Sequence, residues 1–277
     1  MSVINSNINS LVAHQSGVVN TRAMAKTMEQ LSTGKRINGA ADDAAGMAIA
    51  NKMTAQIRGL NQAVRNANDG VSMIQVAEGA TNEVTSMLQR MRELSVQGSN
   101  NTNNANDLKA IKAEYRQLSK EILRISNNTE WNTKKVANSA AVSTVYQVGA
   151  NSGQTITVVF KDIMGLSGLT AVGTAAQTGS AGSVTLTAAS ITNLSTALDA
   201  LDAYRGNLGA TINRLTYAAD NLTNVSTNTA ASRSRILDTD YAKATTELAR
   251  TQIIQQAATA MLAQANQAPQ QVLSLLR

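Results

Sequence analysis

Apolar residues recur in steps of three and four over long stretches at both ends of the chain and change to alternation only in the middle. From Ile49 the series continues through Met53, Ile57, Leu60, Val64, Ala67, Val71, Ile74, Ala77, Val84, Leu88, Met91 and Leu94, the spacing of a coiled-coil seam. Residues 66–70, Asn-Ala-Asn-Asp-Gly, would ordinarily mark a turn. The seam keeps phase across them, which predicts one helix with a locally weak stretch. Gly98 and the polar run 99–106 end that helix, and Asp107 is placed to cap the next. The second helix carries Leu108, Ile111, Tyr115, Leu118, Ile122 and Ile125 on one face, and so short a reversal implies an antiparallel pair.

Residues 142–148 and 154–160 are β-rich and flank the turn-forming stretch 149–153. A lone hairpin is marginal, so this one is expected to pack on the helices. Residues 165–190 are Gly, Ala, Ser and Thr with few large side chains and read as an exposed connection with little core of its own. A third seam, Ile191, Leu194, Leu198, Leu201, Leu208, Ile212, Leu215, Leu222 and Val225, closes a three-helix bundle. Burying one aliphatic side chain contributes about 1.5–3 kcal/mol, so three such stripes can offset the ordering entropy of the middle of the chain.

The end segments carry thinner stripes: Ile4, Ile8, Leu11, Gln15, Val18, Arg22 and Ala25 near the start, and Tyr241, Ala244, Leu248, Ile254, Ala257, Met261 and Ala265 near the finish. Isolated helices are marginal in water. The two ends are therefore expected to pair with each other as a coiled coil and to stay poorly ordered until neighbouring molecules cover them. The extreme tail, with Val272, Leu273, Leu275 and Leu276, is apolar where termini are usually polar. The fold class is mainly α, a long antiparallel helical bundle with a small β-hairpin region.

Composition sharpens this picture. Phe, Trp and Pro each occur once and Cys not at all. A core of Leu, Ile, Val, Met and Ala suits a long helical seam, and the near absence of Pro permits uninterrupted helices. Lack of Cys excludes disulfides, thiolate catalysis and Cys-ligated metal. The net charge of +6 raises nucleic acid as a partner, but basic residues are spread over every segment without interleaved aromatics, so no nucleic-acid partner is expected. No basic n-region leads into an apolar h-region, and no run is long enough to span a membrane. The expected location is the cytosol or outside the cell by a route that cleaves nothing.

Several motifs then resemble the bacterial flagellins. Residues 30–38 (QLSTGKRIN), 42–46 (DDAAG), 65–70 (RNANDG) and 88–97 (LQRMRELSVQ) resemble their amino half, and 232–236 (SRSRI), 262–267 (LAQANQ) and 272–277 (VLSLLR) resemble their ending. The resemblance covers nearly everything except residues 165–190. Gly39 stands where Ser is common in the family, and Trp131-Asn132-Thr133 where Phe-Asn-Gly is usual. It implies a structural subunit that self-assembles into the flagellar filament for swimming motility. Residues 1–43 and 236–277 would form the inner tube, residues 44–164 and 191–235 the outer tube, and 165–190 would replace the variable domains. It further implies export without a cleaved signal through the flagellar type III apparatus to the extracellular flagellum. The implied partners are an export chaperone on roughly 236–277, the filament cap and the hook-filament junction proteins.

Carried over position by position, the resemblance implies recognition of exposed monomer by Toll-like receptor 5 through Arg90, Leu94, Gln97, Glu114, Leu194 and Leu198, with packing or filament contacts as their primary role. Ile4, Ile8, Leu11, Val18, Leu248, Ile254, Met261, Val272, Leu273, Leu275 and Leu276 are the assembly candidates. Ser and Thr between 165 and 190 are candidates for O-glycosylation.

No residue pattern calls for an enzyme, a cofactor or a metal. His14 is the only histidine, so there is no His pair for zinc and no catalytic triad. Asp42 and Asp43 are adjacent, point apart on a helix, and read as caps. Thr33-Gly34-Lys35-Arg36 lacks the rest of a phosphate loop. Two other readings compete with the polymer subunit: a hook-filament junction protein, and a soluble coiled-coil adaptor with stable ends and a finite oligomer.

Overall fold

The computed structural model describes residues 7–138, 142–170, 172 and 186–274, with the side chains of Val142 and of 268–274 excepted. The helices are α1 (Ile8–Thr33), α2 (Ala44–Gly98), α3 (Ala105–Asn128), α4 (Ala188–Leu237) and α5 (Tyr241–Ser274). Between α3 and α4 lie β1 (Glu130–Trp131), β2 (Lys134–Lys135), β3 (Val142–Gln147) and β4 (Thr155–Phe160). Helix α2 runs unbroken through residues 66–70. The apolar period outweighs the turn propensity because Ala67 and Gly70 are both buried there. Residues 1–55 and 228–277 form one compact unit, and 56–227 another.

The second unit is built on a main hydrophobic core, with a smaller cluster of Leu60, Ala63 and Leu222 beside it. Ile74, Leu88, Met91 and Leu94 of α2, Ile111 and Ile122 of α3, and Leu194, Leu201, Leu208 and Leu215 of α4 all enter the main core. Two seam positions depart from expectation: Ile49 and Val225 lie exposed, beyond this core. Asp107 is not the cap of α3. Asn104 is, its side chain accepting from the backbone of Asn106 and Asp107, while Asp107 reaches back to the Asn104 N–H at 3.1 Å. This reciprocal box satisfies donors that a helix start otherwise leaves bare.

Strands β3 and β4 pair antiparallel from Val142↔Phe160 to Gln147↔Thr155. One face of β4, Ile156, Val158 and Phe160, is buried in the helix core, as strand alternation requires. The Tyr146 hydroxyl donates to Met73 Sδ at 2.8 Å and Asn66 Nδ2 donates to the Gln147 carbonyl at 3.1 Å, fixing the hairpin to α2.

The stretch after β4 corrects a sequence reading. Ile163, Leu169, Val172 and Leu186 are buried in the same core, and Leu166 packs on it, so both ends of 165–190 are anchored rather than an exposed connection. Gly168, at φ +85°, lies so close to Asn193 and Ala197 of α4 that no Cβ would fit, and Ser119 Oγ donates to the Val172 carbonyl at 2.5 Å. Residues 173–185 lie outside the described residues.

Candidate functional site

The first unit holds the apolar ends. Helix α1 is capped by Asn7, whose Oδ1 accepts from the Ser10 N–H at 3.1 Å, and it stops at Gly34 in the left-handed conformation, φ 69°. Helix α5 is opened by Asp240, whose Oδ1 accepts from the Ala242 and Lys243 amides. The two helices pack on each other.

Their seam is polar. Asn20, Thr27 and Thr251 are buried in it together with the small Ala244, and Asn20 Nδ2 donates to the Thr251 carbonyl at 2.8 Å and to Gln255 Oε1 at 3.1 Å. At the far end Asn7 Nδ2 donates to the Ala265 carbonyl at 2.8 Å, and Ser10 Oγ to Asn266 Oδ1 at 2.9 Å. Near the joint the Tyr241 hydroxyl donates to the Leu31 carbonyl at 3.2 Å.

The apolar stripes read from the sequence do pair, but in a different phase. Ile8 is 56 % exposed, Leu11 67 % and Met261 65 %, with Val12, Val19, Ile253 and Ile254 also exposed. Val18 and Leu248 are half-buried. Polar and small residues take the inner face, so the large aliphatics are left on the flanks. A groove of about 670 Å³ is lined by Val12, Ala13, Ile254, Ala257 and Met261. Another of about 350 Å³ is lined by His14, Val18, Ala258 and Leu262 on the other flank of the seam. Ile4, Leu275 and Leu276 lie outside the described residues, as do the side chains of Val272 and Leu273.

A clasp of backbone joins the loop after α1 to the loop after α4. Lys35 and Asp238 form an isolated antiparallel bridge, with the Arg36 N–H on the Leu237 carbonyl at 2.6 Å and the Thr239 N–H on the Gly34 carbonyl at 3.0 Å. Arg36 Nη2 adds a bond to the Ile236 carbonyl at 2.9 Å. The loop closes on Asp42 and Asp43; of the two expected caps only Asp43 caps α2, while Asp42 ties the loop to itself. Asp42 Oδ2 accepts from the Asn38 and Gly39 amides, and Asp43 Oδ1 from the Gly46 amide at 2.8 Å. Lys26 Nζ sits 2.7 Å from Asp42 Oδ1. The hydrogen bond from Lys26, followed by those from Asn38 and Gly39, holds the Asp42 carboxyl below its usual pKa.

In the second unit Arg90 Nε meets Glu114 Oε1 at 2.8 Å and its Nη1 meets Glu93 at 2.9 Å. These side chains and Gln97 are exposed and Leu198 is half-buried. Leu94, at 1 % exposure, and Leu194, at 0 %, are inside the bundle. The three- and four-residue spacing that made them candidates is the spacing of the core seam, and in this conformation they can support a surface but not touch a partner. Ser167, Thr170 and Thr187 are exposed, Ser190 is half-buried, and the other Ser and Thr of 165–190 lie outside the described residues. Among the described residues no cluster of His, Cys, Asp and Glu could hold a metal, and no helix is long and apolar enough to cross a membrane.

Residues 4–140 match the family described as the bacterial flagellin N-terminal helical region, and residues 191–276 match the bacterial flagellin C-terminal helical region. The chain belongs to the bacterial flagellins. It is 47 % identical over 285 residues to a flagellin of Halalkalibacterium halodurans, covering 99 % of this chain and all of that one. It is 42 % identical over 303 residues to a flagellin of Bacillus subtilis, covering 99 % of each. A crystal structure of Bacillus cereus flagellin matches with a TM-score of 0.48 at 30 % identity, over 61 % of this chain and 94 % of that one. As a flagellin the chain is a structural subunit, not an enzyme, that self-assembles into the extracellular flagellar filament of swimming motility. Its short length fits a minimal form, and the junction and adaptor readings are not favoured.

Proposed function

We propose that the polymer contacts are the two exposed flanks of the α1/α5 pair. The observation that carries this is the inverted seam: polar groups face each other while Ile8, Leu11, Val12, Ile253, Ile254 and Met261 face outward. One flank presents Val12, Ile254 and Met261 and the other Val18 and Leu262, two surfaces that one isologous partner cannot both cover. Contacts that do not close on themselves build a helical polymer. In this reading residues 1–43 and 236–277 make the inner tube, residues 44–164 and 191–235 the outer tube, and the terminal helices become fully ordered only when neighbours cover them.

Replacing Leu11 and Met261 together by Asp tests it. The variant is expected to keep the helicity of residues 56–227 and to give no filaments when seeded with sheared fragments. Filaments of ordinary length and yield would sink the reading.

Export through the flagellar type III apparatus, capture of 236–277 by an export chaperone, and contact with cap and hook-filament junction proteins belong to the same proposal, supported by family membership. The exposed ion pair of Arg90 with Glu114, with Gln97 exposed two turns further along α2, supports recognition of free monomer by Toll-like receptor 5, with Leu94 and Leu194 holding the surface from within. Unchanged receptor signalling by a folded Arg90→Ala, Gln97→Ala monomer would remove that element of the proposal. O-glycosylation at Ser167 or Thr170 rests on their exposure, and an unmodified intact mass from native filaments would rule it out.

A further inference from the structure

Asn-Gly occurs once in the chain, at Asn38-Gly39, inside the loop that joins α1 to α2. Glycine has no Cβ to obstruct approach of its backbone nitrogen to the preceding side chain. Once that nitrogen loses its proton to water or hydroxide it can attack Asn38 Cγ. A C–N bond forms, the Cγ–Nδ2 bond breaks, and ammonia leaves a five-membered imide. Water then opens the imide on either side to give aspartate or isoaspartate.

The folded loop works against each stage of this reaction. Asn38 Oδ1 accepts from Thr33 Oγ1 at 2.8 Å, and Nδ2 donates to the Lys35 carbonyl at 3.1 Å, so both ends of the amide are held toward the preceding residues. The nucleophile is held too, since the Gly39 N–H donates to Asp42 Oδ2 at 3.2 Å. We propose that Asn38-Gly39 is a latent self-modification site, closed by the Thr33, Lys35 and Asp42 contacts while the loop is folded and converted when the loop is open.

Conversion also prevents reclosure. A carboxylate at position 38 cannot donate to the Lys35 carbonyl, and it adds a negative charge beside Asp42. The isoaspartate form lengthens the backbone by one methylene between residues 38 and 39, within a few residues of the Lys35–Asp238 bridge. The site therefore marks chains that have stayed unfolded, whatever the helix pair goes on to contact.

The test is peptide mapping of the intact chain incubated at mildly alkaline pH, folded and in concentrated urea. Trypsin releases residues 37–52 as one peptide, which is scored for the amide-to-acid mass gain and for isoaspartate by enzymatic methylation. The expected result is conversion at residue 38 at least tenfold faster in urea than in the fold, and largely lost in urea for Gly39→Ser. In the folded chain Thr33→Val is expected to raise the rate several-fold, with circular dichroism showing its helices intact. Equal rates folded and unfolded, or no conversion at residue 38 in urea, would overturn the proposal. If Thr33→Val does not fold, the wild-type pair of rates decides.

Discussion

Thr133 sits at φ 67°, directly after Asn132 at φ 45°, in the two-residue turn between Trp131 and Lys134. Two successive positive φ values are the signature of the hairpin turn that matches strand twist, and its second place favours Gly. A β-branched residue there is strained against its own backbone. Thr133→Gly is expected to raise stability by about 0.5–1 kcal/mol, read as a higher urea midpoint for the second unit at unchanged m-value. Gly46 makes the opposite case. A Cβ there would stand 2.5 Å from Asp43 Oδ2 and 2.8 Å from Ile37 Cδ1. Gly46→Ala is therefore expected to cost about 1–2 kcal/mol through loss of the Asp43 cap, despite the better helix propensity of Ala. A midpoint equal to or above wild type would show that the cap is dispensable.

At the level of elements, the long helices were legible because their period persists over many turns and agrees with the core that forms. The terminal pair was legible as a pair but not in its phase. A search for apolar stripes treats Asn20, Thr27 and Thr251 as solvent positions, whereas here they are the seam. The core anchors Ile163, Leu166, Leu169 and Val172 were visible as a three-residue spacing, submerged in a background of Gly, Ala and Thr. Which aliphatics are exposed was not legible from periodicity, because exposure of Ile253 or Met261 follows from how α1 and α5 rotate against each other. A buried Asn in a helix pair specifies register at a cost in stability. Asn20→Leu is expected to raise the melting temperature of monomeric α1/α5 helicity and to lower the yield of regular filaments. Wild-type filament yield would show that register is set elsewhere. The loop between α1 and α2 has its own acid limit. The Asp42 carboxyl is depressed in the fold, so the native state binds fewer protons than the unfolded chain around and below pH 3.8. Its contribution is present above that value and lost as pH falls through the folded pKa. Asp42→Asn should flatten the acid limb of stability against pH.

For the whole molecule the alkaline limb is set by tyrosines. Burial pushes Tyr115 up to about 12 and also raises Tyr204 and Tyr146. Above pH 10 the unfolded chain releases phenolic protons that the fold retains, so the native state binds more protons and stability falls with rising pH. Alkaline unfolding is expected to begin near pH 10, and Tyr115→Phe should delay it.

The polar seam also has a mechanical consequence. Hydrogen bonds from Asn7, Ser10, Asn20 and Tyr241 are spaced along the α1/α5 interface, and the large aliphatics between them, Val18 and Leu248 among them, are only half-buried. Under tension applied to either end they would give way in succession, as a zipper does, rather than together as a packed core would. A pulling device that grips a terminus would therefore meet low, stepwise resistance first and the cooperative bundle of α2, α3 and α4 only afterwards.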